Sequence, residues 1–375
     1  MRLSNKKYLL MRRITLISRL MWEALLYTVT IASALVLVFV YAAAMVDPTD
    51  TAWFVPFALA APVIFVVNLF WTLFWTIRWK SIALVPLLLL LAGIPVIARH
   101  VQIPLFQHYA QEQRSDLKLM SYNVHTFHNP SWHWSADSIA RFIKMTSPDI
   151  VALQEYYSTS TKTADSLRHI MSGYPHISIH YIRKESPDAG FGLAIFSRHK
   201  IVDTHKIPFN DKNGAMYADL LIDRDTIRLF NCHLQTTNIT DNDISFVKSG
   251  ARSHHEASFG NILAKIKDNS VKRARQAGVI ADLISESPYP VVVCGDFNDV
   301  PASYTYTRMS KGLKDCFKRA GRGYAHSFHD FFEVFNVDYI MYDPQRFKCV
   351  YYNSPSLSFS DHNPVIVRLK AAEKK

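Results

Sequence analysis

Residues 290–298 read PVVVCGDFN, an apolar run that stops at Gly295 and hands Asp296 and Asn298 to whatever lies beyond. A short apolar run bounded by Pro288, Pro290 and Gly295 reads as a fully buried strand. Asp296 and Asn298 flank Phe297, so on extended backbone they would face one side. A carboxylate beside a buried strand is costly unless it is paired or bound to a metal. Asp296 therefore marks a candidate site.

The same arrangement recurs along the chain. SYNV (121–124), LQE (153–155), CHL (232–234), VDY (337–339) and SDHN (360–363) each set Asn, Asp, Glu or His where an apolar run gives way to a loop. Six such islands point to one convergent acidic site and make a hydrolase the leading reading. Strands are expected at 117–124, 150–154, 176–181, 192–197, 218–223, 226–235, 290–294, 337–341 and 364–369. Helices are expected at 135–145 and 272–285, and 241–267, polar and basic, reads as a long functional loop. Strands interspersed with helices predict a layered α/β sandwich whose loops form the site at one sheet edge.

Taken together and in this order, the six motifs resemble the endonuclease/exonuclease/phosphatase superfamily, over residues 117–369. The resemblance implies the four-layer α/β sandwich of the deoxyribonuclease I-like fold and a metal-dependent hydrolase acting on phosphoester bonds. It implies that Glu155 and Asp361 bind Mg²⁺ or Mn²⁺, supported by Asn123. A carboxylate is a hard oxygen ligand suited to such ions. It gives Asp296 the task of positioning and deprotonating the attacking water, and Asn298 that of orienting the phosphate or Asp296. His362 would contact the scissile phosphate, held by Asp338, and such a pair raises an imidazole's pKa. His233 matches a second histidine that stabilises the transition state. No expected catalytic position is missing, which weighs against a non-catalytic binding domain on the same fold. The expected activity is nuclease cleavage of DNA or RNA. The alternative is hydrolysis of a phospholipid, sphingomyelin or inositol phosphate. Seven basic residues between 241 and 275 (Lys248, Arg252, Lys265, Lys267, Lys272, Arg273, Arg275) read either as a phosphate-contacting edge or as a solvated helix face.

The first hundred residues differ in kind. Hydrophobic residues make up 49% of the chain and charged residues 19%, apolar and charge-poor for a soluble protein. The excess lies in three stretches, 24–46, 53–77 and 82–103, each near the roughly 20 residues that cross a bilayer. Residues 1–115 carry a net +6 of the formal +11, so the remainder is only mildly basic at +5. Basic residues precede the first stretch, Asp47 and Asp50 follow it, and Arg78 and Lys80 separate the second from the third. By the positive-inside rule the N-terminus is cytoplasmic and the chain beyond the third span lies outside. The organisation expected is a cytoplasmic segment (1–23), three transmembrane helices (24–103), a linker (104–116) and a catalytic domain (117–370). Such a protein sits multi-pass in a bacterial inner membrane with its catalytic domain extracytoplasmic. Its partners are the lipid bilayer and a phosphoester substrate, nucleic acid or lipid headgroup, with no obligate protein partner. Few ionisable residues lie inside the spans, which argues against a transport path. Four cysteines form no CxxC pair, so a thiolate zinc site is not expected. A Cys316–Cys349 disulfide stays open at this stage.

Overall fold

The computed structural model describes residues 2–103, 117–158, 172–186, 189–210, 212–240, 242–243, 246, 259–329 and 334–372. The expected linker at 104–116, with Lys248 and Arg252, lies outside the described residues. The strands are β1 (Val101–Gln102), β2 (Leu117–Asn123), β3 (Ile150–Ser158), β4 (His176–Ser186), β5 (Ala189–Ser197), β6 (Lys200–Pro208) and β7 (Gly214–Ile222). They continue with β8 (Asp225–His233), β9 (Val291–Asp296), β10 (Lys314–Asp315), β11 (Gly323–Tyr324), β12 (Asp338–Tyr342), β13 (Phe347–Asn353) and β14 (Val365–Ala371). The helices are α1 (Arg2–Met45), α2 (Val55–Leu59), α3 (Ala61–Ile77), α4 (Leu84–Ala92), α5 (Ile94–Ile97), α6 (Ala136–Thr146), α7 (Phe259–Ser285), α8 (Tyr304–Met309) and α9 (Cys316–Ala320).

Two six-stranded mixed sheets run β10-β12-β9-β8-β7-β6 and β13-β14-β2-β3-β5-β4. Each holds one parallel pair near its centre, β8 with β9 and β2 with β3. Parallel partners finish at the same sheet edge. In register, His233 lies opposite Asp296, and Asn123 opposite Gln154, the neighbour of Glu155. Antiparallel β12 starts where β9 ends, which brings Asp338 beside Asp296.

Strand alternation builds the layers. Leu119, Ile150 and Ile195 of one sheet pack against Ala218, Leu229 and Val292 of the other. The opposite faces bury Met120, Tyr122, Val151 and Leu153 under α6, and Phe230, Cys232, Val291 and Val293 under α7. The result is the four-layer α/β sandwich of the deoxyribonuclease I-like fold. One polar clasp joins the sheets. Gln154 Nε2 donates to Asn231 Oδ1 at 2.7 Å, and Asn231 Nδ2 donates to the Leu153 and Ala194 carbonyls at 3.0 and 3.1 Å. All four cysteines are buried free thiols, Cys316 and Cys349 included.

Several elements differ from the sequence expectation. Helix α7 starts at Phe259, so the tail of the expected 241–267 loop is helical. Asn269 and Ser270 are buried within it and interrupt the apolar period. Strands β6 and β13 were not expected; they lie at sheet edges, β6 exposed along most of its length and β13 exposed at intervals.

At the N-terminus one helix, Leu10–Met45, is long and apolar enough to cross a membrane, with a mean hydropathy of 2.2. The second apolar stretch gives the 17-residue α3. The third is divided into a 3₁₀ turn, α4 and α5, with Gly93 capping one helix and opening the next. The three pack as an antiparallel bundle. Glu23 meets Lys80 at 3.9 Å at one end, and Trp75 Nε1 donates to Thr30 Oγ1 at 2.8 Å within it. Val66, Leu69, Phe70, Leu73, Leu88 and Leu91 point outward, exposed.

The end of the bundle remote from Glu23 holds the sandwich. Arg99 donates to the Pro301 carbonyl at 3.1 Å and to Thr307 Oγ1 at 2.9 Å, with its guanidinium 4.6 Å from the Tyr306 ring centroid. Strand β1 pairs with β11, and Leu37, Val40 and Ala58 share a buried cluster with Val300 and Ala302.

Gly295 sits at φ +132°, and a Cβ there would lie 2.0 Å from the Cys232 carbonyl oxygen. Neither that dihedral nor that contact suits a side chain. Gly295→Ala is expected to destabilise the domain by roughly 3 kcal/mol, as overpacking against backbone does. Urea denaturation checks this; an unshifted midpoint rejects the tight approach of β9 to β8.

Candidate functional site

Asp296, at the end of β9, is 1% exposed, and groups from both sheets surround it. The Asn298 backbone N–H donates to Oδ1 at 2.7 Å. Asn123 Nδ2 donates to Oδ2 at 3.0 Å and Asn298 Nδ2 at 3.2 Å. The Nε2 atoms of His362 and His233 stand 3.7 and 3.8 Å from the same oxygen. Burial pushes the Asp296 carboxyl up to about 6, against the pull of His362 and His233. Asp296 and Asn298 do meet, but not on extended backbone as the sequence expectation had it. The strand ends at Asp296 and Asn298 turns back with φ 52°.

His362 Nδ1 donates to Asp338 Oδ2 at 2.8 Å. Burial alone would lower this imidazole, but Asp338, Asp296 and Asp361 outweigh it and hold the ring well above its ordinary value. The pair thus carries a proton at Nδ1 and, in the cationic form, a second at Nε2, aimed at Asp296. His233 goes the other way. Burial holds it below its ordinary value in spite of Asp296, and neither ring nitrogen has a well-formed hydrogen bond among the described residues. Its Nε2 lies 3.4 Å from Glu155 Oε1.

Glu155 stands at a break in register between β3 and β5 with φ 52°, a strained conformation that swings its carboxylate out of the strand. Its side chain keeps 20% exposure, and that of Asp361 23%. Desolvation and then the Asp361 charge raise the Glu155 carboxyl, with His125 and His362 opposing. Two partly open carboxylates side by side, one of which raises the proton affinity of Glu155, fit a divalent cation with hard oxygen ligands. Asp296, Asp338 and His362 also bring ligand-type atoms within 4.8 Å of one another. Both Asp296 oxygens already accept hydrogen bonds, however, and His362 Nδ1 is spent on Asp338. Asn123 turns its amide nitrogen toward Glu155, at 3.3 Å, while its oxygen accepts from the His125 N–H. Its amide thus bridges the Glu155 and Asp296 carboxylates on one side and the turn at His125 on the other.

The structure therefore gathers Asn123, Glu155, His233, Asp296, Asn298, Asp338, Asp361 and His362 at one sheet edge. Sequence reading missed several supports. Ser360 Oγ donates to the Asn123 carbonyl at 2.8 Å, and Ser327 Oγ accepts from the Asp338 N–H at 3.1 Å. His125 Nδ1 lies 3.8 Å from Asp361, and the Phe328 ring packs 4.9 Å from that of His362. Only Ser360 lay within a quoted motif. A cavity of about 480 Å³ opens over Glu155, Asp296, Asp361 and His362.

Fold and site together define a metal-dependent hydrolase of ester bonds. The profile of the endonuclease/exonuclease/phosphatase family matches residues 120–362, and the chain belongs to that family, whose members are divalent-metal-dependent phosphoesterases. A second profile, described as a domain of unknown function, matches residues 23–100. No curated protein matches the chain. An endonuclease/exonuclease/phosphatase from Beutenbergia cavernae is similar at 19% identity over 69% of this chain and 72% of that one, with a TM-score of 0.51. A mannosyl-6-phosphatase from Bacteroides thetaiotaomicron is 20% identical over 68% of this chain and 99% of its own, at a TM-score of 0.47. A beta toxin from Staphylococcus aureus is 17% identical over 67% and 99%, at 0.48.

If Asp338 holds the proton on His362, Asp338→Asn should lower the imidazole pKa. NMR titration of the metal-free protein labelled in its histidine nitrogens reads this directly. An unmoved His362 titration rejects the pairing.

Proposed function

We propose that the protein hydrolyses a phosphoester with Mg²⁺ or Mn²⁺ held by Glu155 and Asp361, at the outer face of a bacterial inner membrane. The observation that carries this reading is the buried Asp296 carboxylate, within 3.8 Å of Asn123, Asn298, His233 and His362. When bound, the cation neutralises charge on the phosphoryl group. The residues of the chain do the rest. Asp296, raised toward neutrality, orients a water and takes its proton as the water oxygen bonds to phosphorus. The P–O bond to the alcohol breaks, and the leaving oxygen takes a proton from His362 Nε2. Asp296, 3.7 Å from that nitrogen, returns the water's proton to it. Asp338 keeps the ring oriented throughout. Asn298 steadies Asp296, and His233, beside Glu155 and Asp296, faces the charge that builds on the phosphoryl oxygens.

The membrane placement belongs to the same reading. Leu10–Met45 is long enough to cross, and a bundle basic at the Lys80 end and docked to the sandwich at the Arg99 end supports a cytoplasmic N-terminus and an outer catalytic domain by the positive-inside rule. The outward apolar side chains of the bundle are surface that water disfavours and lipid accepts.

Nuclease activity, the expectation from sequence, loses support at the basic segment. Lys265 pairs with Asp243 at 2.6 Å, Lys267 lies over the Trp53 ring at 3.4 Å, and Arg273 is buried against Asp299 at 3.3 Å. Lys272 and Arg275 are exposed. Polyanion binding draws on several free cations along one track, and three of these five already have a partner.

Two measurements test the reading. Asp296→Ala should cut kcat on a chromogenic phosphodiester by about 10³-fold or more with the circular dichroism spectrum unchanged; near-normal turnover rejects the role of Asp296. EDTA should silence the full-length protein in detergent, and Mg²⁺ or Mn²⁺ should restore it. Hydrolysis that resists chelation rejects the cation.

A further inference from the structure

Two residues of the N-terminal region, Val55 and Leu59 of α2, line the same cavity as Glu155, Asp296, Asp361 and His362. They are separated from Asp361 by about three hundred positions, and a bundle that served only as a tether would not reach the site. Ile262 and Ile266 of α7 line the cavity too, as do Val300 and Phe335. Helix α2 rests on α7, where Lys267 Nζ lies 3.4 Å from the Trp53 ring centroid. The cavity wall thus combines the reacting groups with apolar side chains from two parts of the chain, along with the polar Thr236, Thr237 and Asn238.

The depth of α2 follows from the sequence around it. The apolar part of α1 ends at Met45, Asp47 and Asp50 come next, and α2 begins after Trp53. Trp53 is exposed, and tryptophan concentrates at the membrane–water interface. Helix α2 then lies at headgroup level on the side where the sandwich docks. Charge points the same way. Arg273 is the one lysine or arginine of the cavity lining among the described residues, and its guanidinium is spent on Asp299, the Gln235 carbonyl, Thr237 and Ser270. Beyond the reacting His362, a nucleic acid strand would find no free lysine or arginine in that lining, whereas an acyl or sphingoid chain would find Val55, Leu59, Ile262 and Ile266. A lipid in the adjoining leaflet is also at high effective concentration.

We propose that the substrate is a membrane lipid bearing a phosphodiester headgroup, whose apolar body lies between α2 and α7 while its phosphorus faces Asp296 and His362. Water adds to phosphorus, the P–O bond to one alcohol breaks, and that alcohol leaves with a proton, giving a phosphomonoester. This inference rests on the phosphoesterase reading above, and its test separates the two.

The full chain in mixed micelles with Mn²⁺ is given three substrates: a chromogenic phosphodiester, plasmid DNA, and vesicles of phosphatidylethanolamine, phosphatidylglycerol and sphingomyelin. Mass spectrometry reads the lipid products. Wild type is expected to cleave the chromogenic diester and at least one vesicle lipid, the lipid faster than DNA. Leu59→Asp, or the milder Val55→Gln if that variant misfolds, should lower the ratio of lipid to chromogenic turnover tenfold or more. No cleavage of the chromogenic diester overturns the phosphoesterase reading itself. Cleavage of that diester with DNA favoured over every vesicle lipid, or an unchanged ratio in the variant, overturns the lipid proposal alone. An independent readout uses metal-free protein and a diazirine phosphatidylethanolamine in the same vesicles. Crosslinks on Ile262 or Ile266 support the proposal, since α7 belongs to the catalytic sandwich. Labelling confined to α1, α3 and α4 overturns it.

Discussion

A carboxylate with 1% exposure cannot stay charged by itself, and Asp296 is the group around which the molecule is arranged. Transfer of such a charge out of water costs several kcal/mol unless donors replace the lost hydration. Here the donors come from Asn123 on one sheet and Asn298 after the other, with the imidazoles of His362 and His233 at 3.7 and 3.8 Å. Misplacing either sheet would strip Asp296 of part of its shell. The requirement reaches into the core, because Gln154 and Asn231 tie the sheets together directly behind the site. That clasp is polar and buried with its partners mostly in place, the condition under which a buried amide fixes alignment without a large cost.

The topology explains why so few elements suffice. Each sheet places one parallel pair near its middle with antiparallel neighbours on both sides. Parallel strands deliver their C-terminal residues to one edge, so two pairs supply Asn123, Glu155, His233 and Asp296 from two facing sheets. Local strain completes the geometry. Glu155 and Asn298 both sit near φ 52°, each costing of order 1–3 kcal/mol. Without that departure Glu155 would follow the alternation of β3 and point along the sheet normal, and Asn298 would lose its two bonds to Asp296.

How much of this was legible depended on whether the signal was local. The strand-end islands were readable because each is a break in an apolar run, visible within five or six residues. Glu155, Asp296 and His362 announced themselves in that way. Asn231 did not, because an amide inside β8 carries the same letter as an amide in a turn, and only its partner across the sandwich gives it meaning. The edge strands β6 and β13 were lost for a related reason: with much of their surface in solvent, their sequence keeps little hydrophobic alternation. The start of α7 was obscured by buried Asn269 and Ser270, whose polarity mimics a loop although Asn269 donates to the Thr237 carbonyl. The contact between bundle and sandwich was wholly invisible, since Arg99 finds Pro301 and Thr307 across some two hundred positions.

That last contact changes what counts as the active site. Seven residues, Asp296 to Ala302, carry the central carboxylate at one end and the bundle contact at the other. Between them Asp299 is pinned twice, by Arg273 on its carboxylate and by the Tyr339 hydroxyl on its carbonyl. A segment this short and this constrained transmits a displacement of Val300 or Ala302 toward Asp296, because packed interiors yield little. Removing the bundle would also leave Val300, Ala302 and Phe335 uncovered beside the cavity, an apolar patch that water disfavours. The sandwich without its N-terminal region is therefore a different enzyme surface, lacking one wall and the support behind its central carboxylate. Substrate preferences measured on the isolated sandwich would describe the cavity without the wall that Val55 and Leu59 contribute.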